Sequence, residues 1–118
     1  MDGNFNVRII AMNLPSPIQT YFDADSRNDG EALLRAFAPD AVVIDEGHSH
    51  VGSDAIGAWW RDTKAKYQTV AEPLEVHEQD GLTHVRAKVS GQFAGSPAAL
   101  GFAFRLAGNE IAHLEIGA

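Results

Sequence analysis

YFDADSRNDGEALLRAFAPDAVVIDEGHSHVGSDAIGAWW, residues 21–60, is the stretch whose reading decides the fold. Its first turns continue an amphipathic helix in which Ile18, Tyr21, Phe22 and Asp25 recur at helical spacing. Asn28-Asp29-Gly30 breaks that helix and caps a second, whose apolar stripe is Leu33, Leu34 and Phe37. Pro39 ends it, because the residue before a proline is pushed out of the helical region. Ala41 to Asp45 then reads as a strand, with Val42 and Ile44 to one side and Ala41, Val43 and Asp45 to the other. Gly47 to Gly52 reads as a loop carrying His48 and His50. Ser53 caps a third helix that sets Ile56, Trp59, Trp60, Thr63 and Tyr67 along one side. An acid closing an apolar strand between aromatic helices has to be paired, solvated or used.

Upstream, Ser16-Pro17-Ile18-Gln19 is a helix start, with Ser16 as N-cap, Pro17 at the first helical position and Gln19 as capping-box partner. Residues 1–14 fit poorly with the rest of the chain and read as an N-terminal extension to a domain spanning 15–118. Within that extension Val7, Ile9 and Ile10 suit a short strand or a contact with a neighbour, and Met12 offers a second start. Downstream the period changes to two. Leu74–Gln79 and Leu82–Gly91 flank Asp80-Gly81, a two-residue hairpin signal. Val85, Ala87 and Val89 then share one face, with His84, Arg86, Lys88 and Ser90 on the other. A turn near Gly95-Ser96-Pro97 leads to a strand over Ala99–Leu106, and Gly108-Asn109 turns into another over Glu110–Ile116. The order is ααβα followed by four strands, which predicts an α+β domain with one sheet curled around helices.

At 118 residues the chain is one domain. A net charge of −7 argues against a nucleic-acid surface, which needs clustered Lys and Arg. Without cysteine there is no disulfide and no thiol chemistry. No apolar run approaches a membrane span and no signal peptide is visible, so a cytoplasmic domain is the expectation.

The element order, with YF…DGEALLRAF…DAVVID…VGSDAIGAWW and FAFRLAGNEIAHLEI, resembles the nuclear transport factor two-like superfamily from about Ile18 onward. The SnoaL-like and ketosteroid isomerase branches are the most similar. The resemblance implies a cystatin-like α+β roll: a cone-shaped, curved, mixed or antiparallel sheet wrapped around three helices from the N-terminal half. It also implies a hydrophobic small molecule as ligand, no cofactor, and a homodimer formed through the sheet. Ketosteroid isomerase moves a proton next to a carbonyl with an Asp base and an oxyanion hole of a Tyr and a protonated Asp. By the same resemblance the base falls on Asp45, the oxyanion tyrosine on Tyr21, and the aromatic pair of the pocket on Trp59 and Trp60. Where the second oxyanion acid stands, just before the aromatic-Arg-aliphatic run, this chain has Phe102. The apolar faces of the strands then make Val43, Val89 and Leu114 substrate contacts, with His50 at the cavity mouth.

Each candidate has a plainer reading. Asp45 is also a turn-forming acid at a strand exit, and Tyr21 also a core residue of an amphipathic helix. His48 and His50, two apart with Asp45 nearby, have the spacing of paired metal ligands, but the rest of a metal frame is absent and no metal is expected. His113 and Glu115 share the face opposite the apolar one and suit a dimer surface, with His113 a minor acid–base candidate; His77 and His84 read as exposed sheet residues. Two functions are therefore expected: a cofactor-free isomerase, cyclase or dehydratase, or a non-catalytic binding or dimerisation domain on the same fold.

Overall fold

The computed structural model describes residues 13–118. The N-terminal extension as far as residue 12, with the short strand at Val7–Ile10 and the start at Met12, lies outside them; Leu14 packs against the core. Three helices, α1 (Ser16–Arg27), α2 (Gly30–Arg35) and α3 (Ser53–Tyr67), cover one side of a six-stranded sheet. The strands are β1 (Phe37–Asp45), β2 (His48–Val51), β3 (Val70–Gln79), β4 (Leu82–Ser90), β5 (Ala98–Ala107) and β6 (Glu110–Gly117). Their spatial order is β2-β1-β6-β5-β4-β3, so the sheet is curved and open with β2 and β3 at its edges. Every neighbouring pair is antiparallel except β1 and β6, which run parallel and set Asp45 beside Ile116. The expected α+β class with a mixed curved sheet and three helices is what the chain adopts.

Local chemistry explains most element boundaries. Asn28 leaves α1 in the left-handed conformation, at φ 60°, and the Asp29 carboxylate accepts from the Ala32 N–H at 3.1 Å to cap α2. The Asp80-Gly81 turn has φ of 56° and 77°, both positive, which suits the twist of the β3–β4 hairpin. Alternation along β4 buries Thr83, Val85, Ala87 and Val89 and turns Arg86 and Lys88 to solvent.

Several boundaries differ from the sequence reading, among them the start of β3, which lies at Val70 rather than Leu74. Phe37 is not in the second helix: α2 stops at Arg35, and Phe37 pairs with Ile111 as the first residue of β1. Pro39 forces the chain extended earlier than the apolar stripe suggested, and the β1–β6 register shifts across it, between Phe37 and Val42. The expected loop of His48 and His50 is strand β2, because Glu46-Gly47 has φ of 53° and 77° and makes a two-residue hairpin of its own. Ser16 and Ser53 are first helical residues behind Pro15 and Gly52, neither cap carries a side-chain bond, and Gln19 bonds Asp23 at 2.9 Å.

The core lies between α1 and the inner face of β4, β5 and β6. Tyr21, Phe22, Phe102 and Phe104 form an aromatic cluster with ring centroids 5.1–6.4 Å apart. Most contacts are edge-to-face or tilted, the arrangement aromatic quadrupoles favour. Val43, Leu114 and Ile111 are fully buried beside it. Helix α3 packs across β1 and reaches α2, where Gly30 allows a close approach: a Cβ there would stand 3.0 Å from the Trp60 ring, which would have to shift slightly. None of the helices among the described residues is long and apolar enough to cross a membrane.

Candidate functional site

A pocket of about 260 Å³ lies where α1 and α3 meet the ends of the sheet strands. Tyr21 and Asp25 come from α1, Asp45 and Glu46 from the end of β1, and Trp59, Trp60, Thr63 and Tyr67 from α3. The sheet side adds Ala71, Val89, Leu100, Phe102 and Ile116, with Thr69 and Phe93 from loops. Of the residues singled out from sequence, Asp45, Tyr21, Trp59, Trp60, Phe102 and Val89 come together here. Val43 and Leu114 are not among the lining; both are wholly buried in the core. His50 also stands outside the lining, its ring 6.0 Å from that of Trp59. Among the described residues no group of three or more His, Asp or Glu side chains is arranged to hold a metal ion.

The two tryptophans are adjacent and diverge around α3, and each is tied to a different carboxylate. Trp59 Nε1 donates to Asp45 Oδ2 at 3.0 Å, and Trp60 Nε1 donates to Asp25 Oδ1 at 2.9 Å. The two acids are nevertheless in different situations. Asp25 is 6% exposed and fully engaged: Lys64 Nζ lies 3.0 Å from Oδ1, and the Ala71 N–H donates to Oδ2 at 3.3 Å. Lys64 also donates to the Asp25 carbonyl at 3.1 Å and to the Thr69 carbonyl. Asp45 is half-buried, its Oδ1 has no hydrogen-bond partner among the described residues, and no cation pairs with it.

Tyr21 is 3% exposed, and its hydroxyl has no hydrogen-bond partner among the described residues. Burial holds its phenol well above the ordinary value of 10.0, and the charges of Asp25 and Asp45 push in the same direction. It is therefore a neutral O–H donor at any ordinary pH. Buried hydroxyls are normally satisfied, so an unpartnered one beside a pocket is a place for a ligand acceptor. Phe102 lies with its ring centroid 6.3 Å from that of Tyr21 and offers no second donor.

Asp25 is the most firmly anchored of the lining residues that sequence reasoning passed over, Glu46, Thr69, Ala71, Phe93, Leu100 and Ile116 being others. The signal was present: an acid four residues after Tyr21 on the apolar face of α1 needs a buried partner. Lys64, four residues after Trp60 on α3, is that partner, but nothing in the sequence says which two helix faces meet. Glu46 and Tyr67 reach the lining through the β1–β2 hairpin and the last turn of α3.

The sequence profile of the SnoaL-like domain family matches residues 18–115. Among solved structures, a candidate polyketide cyclase from Sinorhizobium meliloti is 51% identical, with 87% of this chain and 94% of that one aligned at a TM-score of 0.84. A hypothetical protein of ketosteroid isomerase-like fold from Catenulispora acidiphila, solved in complex with trimethylamine, is 19% identical over 90% of this chain and 87% of its own, TM-score 0.77. A cystatin-fold protein from Novosphingobium aromaticivorans is 15% identical over 86% and 95%, TM-score 0.71. These last two share the fold. No curated protein sequence matches the chain.

Proposed function

The chain belongs to the SnoaL-like domain family, and on that footing we propose that its pocket binds a hydrophobic carbonyl compound and moves a proton next to the carbonyl without a cofactor. Asp45 is the general base and Tyr21 the oxyanion donor. One observation carries the reading: a carboxylate oxygen and a buried phenol, both without a hydrogen-bond partner among the described residues, belong to side chains lining the same aromatic-rich pocket. Asp45 Oδ1 takes the proton from the carbon beside the carbonyl, and the bonding electrons move onto the carbonyl oxygen, where the Tyr21 O–H meets them. The enolate then takes the proton back at a more distant carbon, expels a leaving group, or attacks a second carbonyl; these outcomes are isomerisation, dehydration and cyclisation. Trp59 holds Asp45 Oδ2 and so fixes which oxygen is presented. Trp60, Phe102 and Val89 supply apolar wall.

The Sinorhizobium relative, a candidate polyketide cyclase, supports a carbonyl-rich substrate. Phe102 in place of a second acidic donor favours the other reading, a ligand-binding or dimerisation domain that has lost the chemistry. The direct test is absorbance at the enone band with a β,γ-unsaturated ketone. Wild type is expected to turn over feebly, because one missing oxyanion donor lowers turnover by about 10²–10³. Asp45→Asn abolishes this activity and Phe102→Asp raises it. Robust wild-type turnover, or indifference to Asp45→Asn, overturns the assignment; silence on all three variants favours the binding domain.

We propose also that two copies associate through the bare face of the sheet. Across it the register sets Ile44, Glu115, Ala103, His84 and His77 in one row, beside Arg86, Lys88 and His113. No helix among the described residues covers them, and at Gly101 and Ala103 the face is hollowed into a shallow cleft that His77, His84, Arg86 and Glu115 also line.

A further inference from the structure

The pocket has an unbalanced charge. Among the described residues its lining includes Asp25, Asp45 and Glu46 but no Lys or Arg. Asp25 is neutralised by Lys64 at 3.0 Å, whereas neither Asp45 nor Glu46 has an ion pair among the described residues. Glu46 is exposed, so it marks the mouth, and Tyr67 stands with it in the lining. The place already attracts a cation from the chain itself. The Lys66 ammonium lies 5.0 Å from the centre of the Tyr67 ring, and its proton is held more firmly than in free lysine, first by Tyr67 and to a lesser degree by Glu46. Lys66 is fully exposed and not part of the wall, so an incoming cation can displace it.

A second observation, independent of the acids, points to a ligand. Deeper in the same pocket the Tyr21 hydroxyl is buried, neutral and unpartnered among the described residues, so it awaits an acceptor oxygen. An acceptor inside and an unbalanced acid with an aromatic ring at the mouth define a molecule with two ends. We propose that the ligand is an apolar ketone carrying a protonated amine, its carbonyl at Tyr21 and its ammonium at the mouth between Glu46 and Tyr67. The inference rests on the carbonyl reading above and names the substrate class within it. The physical reasons are cation–π attraction at an aromatic face and the nearby Glu46 carboxylate, which has no close ion pair among the described residues and only the weaker pull of exposed Lys66. The same field disfavours anionic ligands, including carboxylic acids and phosphorylated carriers. A cationic tail also offsets the enolate charge that the missing donor at Phe102 leaves unattended, and it does so without touching Asp45 Oδ1.

Calorimetric titration with three phenyl ketones of matched shape tests this. They are 4-(dimethylamino)-1-phenylbutan-1-one, which is protonated at neutral pH, its uncharged isostere 5-methyl-1-phenylhexan-1-one, and the anion 5-oxo-5-phenylpentanoate. Wild type is expected to bind the amine about tenfold more tightly than the isostere, with the anion weakest. Glu46→Gln, at an exposed turn, should weaken the amine far more than the isostere and so close most of that gap. Lys66→Gln should widen it by removing the internal competitor. Equal affinity for amine and isostere, or a gap indifferent to Glu46→Gln, overturns the amine inference and leaves the carbonyl pocket standing. If none of the three binds, or if Tyr21→Phe weakens none of them, the carbonyl reading fails and the amine inference with it.

Discussion

Replacing Lys64 with methionine keeps the length and most of the apolar stem of the side chain but removes its charge. In the native chain Lys64 Nζ is 3.0 Å from Asp25 Oδ1, and both side chains are little exposed, at 12% and 8%. The substitution therefore leaves a buried carboxylate without its cation, a change that generally destabilises by about 3–5 kcal/mol. Two things bear on the value, and the first outweighs the second. Asp25 keeps the Trp60 indole N–H at 2.9 Å and the Ala71 N–H at 3.3 Å, so the stranded charge retains two donors. Against that, the carbonyls of Asp25 and Thr69 lose the donor they share. The net loss is about 3 kcal/mol. For a domain of this size unfolding entropy makes each 1 kcal/mol worth about 4 °C, so Tm should fall by roughly 12 °C. Asp25→Asn should be milder, at about 2 kcal/mol, because the amide still accepts from Trp60 and Lys64 retains its two carbonyls. The measurement is thermal and urea unfolding followed by circular dichroism at neutral pH. A Lys64→Met variant within about 4 °C of wild type would mean that the pair is solvated and contributes little.

Stability should also fall in alkali because of Tyr21. Its folded phenol keeps its proton above the unfolded value of about 10, so this contribution is intact below pH 10 and is lost as pH rises beyond it; Tyr21→Phe should flatten that limb in denaturant titrations. Asp29→Ala removes the carboxylate that accepts from the Ala32 N–H and should lower stability by about 1 kcal/mol, read as a shift in urea midpoint at constant slope. Light scattering at micromolar concentration should give twice the chain mass of 12.7 kDa. Ala103→Glu, in the middle of the bare sheet face, should return the monomer, and a wild type that is monomeric removes the proposed interface.

Much of the architecture was legible because the sequence changes period where the chain changes structure. Positions 18, 21, 22 and 25 and positions 56, 59, 60 and 63 mark two helix faces, and Asp80-Gly81 marks a hairpin whose turn needs positive φ at both residues. What failed was local ambiguity. Phe37 fits a helical stripe as well as a strand, and only its pairing with Ile111, 74 residues onward, decides between them. Glu46-Gly47 is a weaker turn signal than Asp80-Gly81, so the short β2 was hidden in what looked like a loop. The candidate site divides in the same way. Tyr21, Asp45 and the tryptophans stand out as residue types in pattern, whereas Asp25 and Lys64 acquire meaning only when α1 and α3 are set against each other.

The parallel pairing of β1 with β6 has a kinetic side. The sheet is two antiparallel pieces, β2-β1 and β6-β5-β4-β3, and the last strand in the sequence forms the parallel seam between them. Contacts between Val42–Asp45 and His113–Ile116 span about seventy residues of chain, so the seam closes against a large loop entropy and belongs late in folding. Until it closes, Asp45 sits on a detached hairpin and has no pocket to face. A folding intermediate with the β3–β5 meander formed should thus be compact yet unable to bind ligand. Competence to bind then reports completion of the last seam, separately from the gain of secondary structure.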